Sequence, residues 1–336
     1  MEKIKKSDRI LVTGAAGFAG RALALRLATE GYTVRGTVRP DGNHSKIEEL
    51  VDAGIEIVET DIGNPPDVEQ AVEGCSHIFH LAALFRRAGV PDKEYRRTNI
   101  TAPGHLIDFA VAAGVEKIVH CSTIGVCGHI ENPPGDETSP YNPGDPYQES
   151  KVEGEKLAIK AFSEGRIRGT VIRPASILGP GDLRLLKLFR MIAKRRFVIV
   201  GSGKPTFQMV FIDDLVEGFI RAMNCAAADG ELFIIAGEPY LPLNELFAII
   251  AKTLGVPRPR LRVPAAPVQL LGSAVERLCV PLGIEPPIYR RRVDFFTKSR
   301  AFDISKARTV LGFEPKVSVE EGIRRTADWY RAQGLL

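Results

Sequence analysis

Residues 10–20 read Ile10-Leu11-Val12-Thr13-Gly14-Ala15-Ala16-Gly17-Phe18-Ala19-Gly20, an apolar run followed by three glycines at three-residue spacing. An Ala/Leu-rich pattern with helical spacing covers residues 21–30, and residues 33–38 read as a second strand. This order predicts a βαβ unit with a right-handed crossover. The first glycine permits the tight turn, the second lets the backbone approach a pyrophosphate, and the third lets helix and strand pack closely. The helix N-terminus then faces the phosphates with free N–H groups, so the stretch predicts a dinucleotide site.

The same alternation of strands and helices continues along the chain. Strands are predicted at residues 55–59, 77–81, 117–122 and 170–172, and helices at residues 67–72, 99–113 and 147–162. Strands that alternate with helices predict an α/β fold, with a doubly wound parallel sheet of the Rossmann type. We expect residues 1–175 to form this NAD(P)-binding domain. Residues 176–336 are expected to form mainly a smaller substrate-binding lobe, with some segments returning to the first domain.

After residue 180 the pattern is less regular. It predicts helices at residues 183–193, 268–278, 305–311 and 319–331, and short strands at residues 210–212 and 233–236. Asp213 and Asp214 stand where the N-cap of another helix is expected. The prolines between residues 255 and 267 predict an irregular connection.

A second stretch, Asp145-Pro146-Tyr147-Gln148-Glu149-Ser150-Lys151, places a tyrosine four residues before a lysine at the start of a predicted helix. Pro146 suits the first helical turn, and residues four apart lie on one helical face. A phenol titrates near pH ~10, too high for a base at neutral pH. A cation about 5 Å away, at a dielectric of roughly 20, favours phenolate by about 3 kcal/mol. An oxidised nicotinamide ring would add a second cation and lower the tyrosine pKa further. The alternative interpretation is a surface helix whose Tyr147 and Lys151 side chains point to water.

Composition narrows the class of protein. The chain has 336 residues, 44% hydrophobic and 26% charged, which is ordinary for a soluble globular enzyme. Its net charge of +4 (45 basic minus 41 acidic residues) is too small to argue for nucleic acid. Five scattered cysteines without C-x-x-C spacing favour a reducing cytoplasm. No apolar run approaches about 18 residues, so no membrane span is expected. The histidines form no metal-binding pattern, and no metal is predicted.

Three motifs occur in order: Gly14-x-x-Gly17-x-x-Gly20, then Ser122-Thr123 at the end of a predicted strand, then Tyr147-x-x-x-Lys151. Together they closely resemble the extended short-chain dehydrogenase/reductase family, the group of the NAD-dependent epimerases and dehydratases. The resemblance covers nearly the whole chain. Further landmarks in register are Asp61-Ile62, His80-Leu81-Ala82-Ala83, Arg173-Pro174, Leu178-Gly179-Pro180-Gly181-Asp182, Ile212-Asp213-Asp214-Leu215 and the stretch at residues 303–329.

The resemblance implies a role for each matching residue. Tyr147 would be the general acid/base, and Lys151 would hydrogen-bond the nicotinamide ribose and lower the tyrosine pKa. Thr123 would hold the substrate oxygen. It is preferred to Ser122 because it lies three residues before Val126, where the family places its catalytic hydroxyl. Ser122 has the alternative interpretation of a strand-end hydroxyl bonded to backbone. The cofactor would contact Gly14, Ala16, Gly17, Phe18, Ala19, Gly20, Arg39, Asp61, Ile62, Leu81, Ala82, Ala83, Tyr147, Lys151 and Pro174.

The end of the second strand bears on the choice of cofactor. NAD-binding members usually carry an acidic residue there, but this chain has Val38 followed by Arg39. A guanidinium suits a 2′-phosphate, and this end resembles the dihydroflavonol-reductase-like branch, which uses NADP. NADP is therefore the expected cofactor. If Arg39 instead stacks on adenine or is solvated, NAD remains possible.

Two hypotheses describe the reaction on a small-molecule substrate. The first, which is the expected function, is a sugar-nucleotide epimerase, dehydratase or ketosugar reductase, and the second is its alternative. The first is weakened by Ser176, where many such members have Asn, and by Thr206-Phe207-Gln208-Met209, where they carry a diphosphate-binding Arg. Three arginines at residues 290–292 could still hold a phosphate. The second is an NADPH-dependent ketone reductase or hydroxysteroid-dehydrogenase-like enzyme acting on an uncharged substrate. Arg39 favours this second hypothesis, whereas the arginines of residues 84–97 fit an apolar substrate less well.

A third hypothesis is a non-catalytic dinucleotide sensor that keeps the fold, since fold does not fix function. The presence of Thr123, Tyr147 and Lys151 argues against it. The resemblance also implies that the helices at residues 99–113 and 147–162 pair across a two-fold axis, so a cytoplasmic homodimer is expected.

Overall fold

A parallel sheet of seven strands lies at the centre of the computed structural model, which describes residues 4–41, 44–86, 89–279 and 290–336. The strands are β1 (Arg9–Thr13), β2 (Thr33–Val38), β3 (Glu56–Glu59), β4 (His77–His80), β5 (Lys117–Cys121), β6 (Arg168–Pro174), β7 (Ser176–Leu178), β8 (Ile199–Val200), β9 (Thr206–Phe207), β10 (Met209–Phe211), β11 (Leu232–Ile235), β12 (Leu241–Pro242) and β13 (Arg262–Val263). The order in the central sheet is β11-β6-β5-β4-β1-β2-β3. Short two-stranded pairs join β7 to β10, β8 to β13 and β9 to β12.

Helices connect and cover these strands. They are α1 (Phe18–Thr29), α2 (His44–Asp52), α3 (Pro65–Val72), α4 (Asp92–Arg96), α5 (Ala102–Ala112), α6 (Pro146–Ser163), α7 (Leu186–Ala193), α8 (Ile212–Asn224), α9 (Leu243–Thr253), α10 (Ala265–Cys279), α11 (Arg290–Thr297), α12 (Ser305–Leu311) and α13 (Val319–Ala332). A π-helical turn, Arg97–Thr101, joins α4 to α5. Two 3-10 turns follow β5 and α8, at Ile124–Cys127 and Ala226–Ala228.

The apolar core has three parts. One lies between the central sheet and helices α1, α8 and α12, and a second lies on the other face, under α3, α5 and α6. The third fills the space between α7, α9 and α13. Apart from the edge strand β3, which is partly exposed, the strands of the sheet are mostly buried on both faces, as parallel strands usually are. Because all seven strands run in the same direction, their carboxyl ends form a single edge, on which the functional side chains meet.

The doubly wound α/β fold predicted from the sequence is confirmed. β11 comes from the second half of the chain and pairs with β6. The domain boundary at residue 175 itself stays a prediction. Among the described residues, every helix is too short or too polar to pass through a lipid bilayer.

Several local predictions were wrong at the element ends. The single helix expected at residues 99–113 is interrupted by the π-helical turn, and α5 begins just before Pro103, in the first turn where a proline is tolerated. The helix expected from residue 183 begins at Leu186. Asp213 and Asp214 lie in the first turn of α8, whose N-cap is Phe211. The Asp214 carboxylate accepts hydrogen bonds from the backbone of Lys316 and Val317, so it connects distant segments instead.

Gly20 offers a test of the close packing in this fold. A Cβ added there would lie 2.2 Å from the Gly14 carbonyl oxygen, so Gly20→Ala forces the backbone apart. We expect a loss of about 1–3 kcal/mol in the free energy of unfolding, measured by urea denaturation. Gly104→Ala is the matched control, because its Cβ would make an ordinary contact at 3.5 Å with Leu157. An alanine in that helix should stabilise by up to about 1 kcal/mol. Equal stability of the two variants would contradict this account of the turn.

Candidate active site

The glycine turn between β1 and α1 is shaped to accept a large anion. Gly14 has a φ of 71°, and a Cβ there would lie 3.0 Å from the backbone of Ala82. The N-cap of α1, Gly17, offers no side chain to the first-turn N–H groups. Those groups have no partner inside the helix and are left for a ligand. The residues therefore fit the pyrophosphate of a dinucleotide.

The turn is fixed by the neighbouring strand. The Thr13 hydroxyl oxygen accepts hydrogen bonds of 3.0 Å from the backbone N–H groups of Leu81 and Ala82. The same hydroxyl lies 2.8 Å from Nδ1 of His80. Burial and the charge of Lys151 lower the pKa of His80 to about 3, so this histidine stays neutral. His80 therefore acts as a core residue that orders the two loops.

The start of α6 presents the tyrosine and lysine of the second motif. Asp145 is the N-cap, and its carboxylate accepts a hydrogen bond of 2.9 Å from the backbone of Gln148. Tyr147 and Lys151 follow on one face of the helix, and both are buried. The Lys151 ammonium donates a 2.7 Å hydrogen bond to the carbonyl of Cys121, at the end of β5. The helix is thereby held against the carboxyl edge of the sheet.

The two hydroxyls after β5 have different surroundings. Ser122 donates to the buried carboxylate of Glu155, an interaction within the protein. Thr123 caps the following 3-10 turn, where its oxygen accepts a 3.0 Å hydrogen bond from the Gly125 backbone. That bond leaves the proton of the Thr123 hydroxyl free to reach a ligand oxygen. The preference for Thr123 over Ser122 as the catalytic hydroxyl stays a prediction.

The electrostatics of Tyr147 differ from the sequence-based expectation. Burial raises the pKa of Tyr147, and the charges of Arg86 and Arg184 only partly oppose this effect. Burial also lowers the pKa of Lys151 itself. The phenol therefore holds its proton in this structure. The lowering attributed to Lys151 stays a prediction for the protein with its cofactor.

A buried ion pair that the sequence did not reveal lies behind these residues. Glu155 and Arg173 form a 2.6 Å bridge between α6 and β6, with side chains 0% and 3% exposed. The Glu155 carboxylate also accepts from Tyr141 at 2.7 Å. The bond from Ser122 adds the end of β5 to the same network. Helical spacing gives no reason to distinguish Glu155 from other polar residues of α6, and its partner Arg173 lies too far along the chain for periodicity to show the pair.

All three catalytic candidates line one cavity of about 670 Å³. The predicted site residues on its wall are Gly14, Gly17, Phe18, Ala19, Gly20, Leu81, Ala83, Thr123, Tyr147, Lys151 and Pro174. The stretches at residues 84–97 and 180–205, expected from the sequence to contact the substrate, contribute Phe85, Arg86 and Arg184 to the same wall, whereas Phe295, Lys298 and Arg300 were not predicted. These last three come from a late segment, where no motif signals a shared pocket. Among the described residues, no cluster of acidic, histidine and cysteine side chains is arranged to hold a metal ion.

Five of the predicted cofactor contacts lie off this wall: Ala16, Arg39, Asp61, Ile62 and Ala82. Arg39 is exposed and lies 3.3 Å from the Asp41 carboxylate. Asp61 accepts hydrogen bonds from Gly63 and Arg97. Burial opposes the charged form of Asp61, but these bonds and the charge of Arg39 hold its pKa below the usual value. Arg39 and Asp61 are thus close enough to interact at the ends of the neighbouring strands β2 and β3.

The sequence profile of the NAD dependent epimerase/dehydratase family matches residues 10–236. The chain belongs to this family. The resemblance to the extended short-chain dehydrogenases is thereby confirmed, and the protein is an NAD(P)-dependent enzyme of the epimerase/dehydratase type.

Individual relatives differ in the activities that their names state. The chain is 29% identical to 3beta-hydroxysteroid-dehydrogenase/decarboxylase isoform 1 of Arabidopsis thaliana, over 98% of this chain and 81% of the relative. It is 31% identical to UDP-glucose 4-epimerase of Mycolicibacterium smegmatis, over 96% and 98% of the two chains. Among solved structures, that of gox2253 superimposes with a TM-score of 0.83 at 28% identity, over 98% of this chain and 100% of the other.

Removing Glu155 tests the buried ion pair. Glu155→Ala leaves the Arg173 guanidinium buried without its carboxylate, and we expect a loss of about 3–5 kcal/mol in the free energy of unfolding. Tyr141→Phe keeps the ion pair and removes a single hydrogen bond to Glu155, so it should cost only about 1 kcal/mol. Guanidinium denaturation of both variants measures the difference. A Glu155→Ala protein as stable as Tyr141→Phe would show that the pair does not hold the helix.

Proposed function

We propose that this enzyme oxidises a secondary alcohol or reduces a ketone of a small molecule, with Tyr147, Thr123 and Lys151 as its catalytic residues. The observation that carries the proposal is that these three side chains line the same cavity as the glycine turn. A bound nicotinamide dinucleotide supplies or accepts the hydride. The glycine turn and the first turn of α1 would hold its pyrophosphate.

The protein's own residues handle the proton. Because burial raises the Tyr147 pKa, its phenol is protonated at neutral pH and is ready to donate to a ketone oxygen as that oxygen gains charge. The Thr123 hydroxyl would hold the same oxygen. Lys151 would bind the cofactor ribose through the two donors that its bond to Cys121 leaves. This charge state suits the reductive direction, whereas oxidation needs a further cation near the phenol.

The cavity wall favours a substrate with an apolar body. Phe207 lies where nucleotide-sugar members are expected to carry an arginine, and its ring packs edge-on against Phe295 at 5.1 Å between centroids. The next residue, Gln208, is buried and bonded to the backbone of Gly237 and Phe302, so it cannot replace that arginine. A ketone reductase or hydroxysteroid-dehydrogenase-like activity therefore fits better than a diphosphate-binding one. The similarity to the Arabidopsis hydroxysteroid dehydrogenase supports the same choice.

A sugar nucleotide is the second candidate. It was the first hypothesis from the sequence, and the similarity to a UDP-glucose 4-epimerase supports it. Cationic side chains on the cavity wall, such as Lys298 and Arg300, also agree with an anionic substrate. The side chains of the three arginines at residues 290–292 lie outside the described part of the chain.

We propose NADP as the cofactor, because Arg39 is exposed beside the end of β2 and can reach a 2′-phosphate. A homodimer and a cytoplasmic location complete the proposal and stay predictions.

The reaction can be tested with Tyr147→Phe. Without the phenol, turnover should fall at least about 100-fold, the usual contribution of a general acid. Cofactor affinity should change little. The assay follows NADPH oxidation with a 3-oxosteroid and an alkyl ketone, and a thermal-shift screen compares these with UDP-glucose in the presence of NADP. Tyr32→Phe is the control, because this tyrosine packs against Lys6 and lies off the cavity wall. Full turnover by Tyr147→Phe would mean that the acid is misassigned, and a thermal shift from UDP-glucose alone would select the sugar-nucleotide candidate.

The cofactor preference can be tested with Arg39→Ala. Loss of the guanidinium should weaken NADPH binding by about tenfold or more, since hydrogen bonds between charged groups are the strong ones, and leave NADH binding unchanged. Titration calorimetry of both cofactors measures the ratio. Arg97→Ala provides a comparison at a neighbouring arginine that is bonded to Asp61. Equal or tighter binding of NADH by the wild type, unchanged in Arg39→Ala, would refute the NADP assignment.

A further inference from the structure

Arg300 lines the same cavity as Tyr147, on the extended segment that follows α11. Its backbone is fixed. The Arg300 N–H donates a 2.8 Å hydrogen bond to the carbonyl of Thr206, and the neighbouring Ser299 carbonyl accepts from the N–H of Ile130 at 3.0 Å. On the other side, the N–H of Phe302 donates to the Gln208 side chain at 2.7 Å. The half-buried guanidinium therefore projects from a rigid support, which favours recognition of a ligand.

The other basic side chains on the wall already have partners. Arg86 donates to Asp145 at 2.7 Å, and Arg184 donates to Asp182 at 2.7 Å. Lys298 lies 3.0 Å from the Asp294 carboxylate, and Lys151 donates to a backbone carbonyl. These contacts neutralise or occupy each of these cations before any substrate arrives.

Arg300 differs from them. Among the backbone groups and side chains that the structure describes, no acceptor lies within hydrogen-bonding or ion-pair distance of its guanidinium. The two nearby carboxylates, Asp145 and Asp294, are bound to Arg86 and Lys298. Burial and the charge of Arg86 lower the pKa of Arg300, against the opposing effect of the two carboxylates. A partly buried cation without a partner is costly, and an anionic ligand would remove that cost.

We infer that Arg300 is a specificity-determining residue that binds a carboxylate of the substrate. Among the described side chains, the ion pairs of Arg86 and Lys298 are each neutral, so Arg300 leaves one positive charge in this part of the cavity. One guanidinium matches one carboxylate through two parallel hydrogen bonds. A diphosphate would need more than one free cation. The phenyl rings of Phe207 and Phe295 line the same cavity and suit the apolar remainder of the molecule. The inference rests on the proposed function and narrows its substrate class to oxo or hydroxy acids with an apolar body.

Binding of simple probes tests this inference without turnover. In the NADP-loaded wild type, titration calorimetry should show octanoate binding at least about tenfold more tightly than octanol. Arg300→Met should remove that difference by weakening octanoate about 10- to 100-fold, with octanol changed less than about twofold. Arg300→Lys should retain part of the preference, because it keeps the charge and loses the bidentate geometry. Arg258→Met removes an equal charge from an exposed surface position and should change neither probe.

Three results would overturn the inference. These are equal affinities of octanoate and octanol for the wild type, equal weakening of both by Arg300→Met, or UDP binding that depends on Arg300 while octanoate binding does not. Melting temperatures show which variants are folded. If Arg300→Met does not fold, Arg300→Lys still tests the inference. Octanoate binding that depends on Arg300 in a protein that turns over no ketone would leave the inference standing and reject the proposed function. Turnover of neutral and acidic ketones at equal rates, unchanged in Arg300→Met, would reject the inference and leave the proposed function standing.

Discussion

The ion pair between Glu155 and Arg173 fixes α6, the helix that carries Tyr147 and Lys151, to the sheet, and the geometry of the cavity depends on it. Its two charges are almost completely removed from water. A buried pair of this kind contributes little net stability compared with apolar residues, but losing either partner is expensive. That asymmetry suits a device for alignment. Through Ser122 and Tyr141 the same carboxylate also holds the end of β5 and the loop before α6, so the hydroxyl of Thr123 and the phenol of Tyr147 are positioned by one network.

The titratable and charged side chains of this cavity form two parts, one around Tyr147 and the other a rim that contains Arg86 and Lys298. Around Tyr147 the dominant effect is burial, which keeps the phenol neutral. Around the rim, Arg86 and Lys298 are paired with Asp145 and Asp294. Asp145 serves both parts, because it caps the helix that carries Tyr147 and binds Arg86. The loop that carries Arg86 is therefore connected to the first turn of α6.

Much of the fold and part of the site followed from the sequence, because those features are local. The glycine turn is decided by residues 14–20, and the pairing of Tyr147 with Lys151 is decided by helical spacing. The features that sequence reasoning missed join distant segments. The importance of Glu155 depends on Arg173, which only the fold places beside it. The position of Arg300 likewise depends on its hydrogen bond to the backbone of Thr206, which the sequence does not show. The expectation that Lys151 sets the Tyr147 pKa used distance alone and omitted burial, which is the larger effect in the structure. Element ends shifted for a similar reason, since Asp214 binds the backbone near residue 316 instead of capping its own helix.

The origin of the cavity wall has an evolutionary consequence. Phe207, Phe295 and Arg300 come from late segments that are joined by the hydrogen bond between the backbones of Arg300 and Thr206 and by the contact of the two rings. The proton-handling residues are held by the central sheet and its buried ion pair. Mutations in the first group can therefore accumulate without disturbing the second. A lineage with this architecture is free to exchange one substrate for another while it inherits an unchanged reaction.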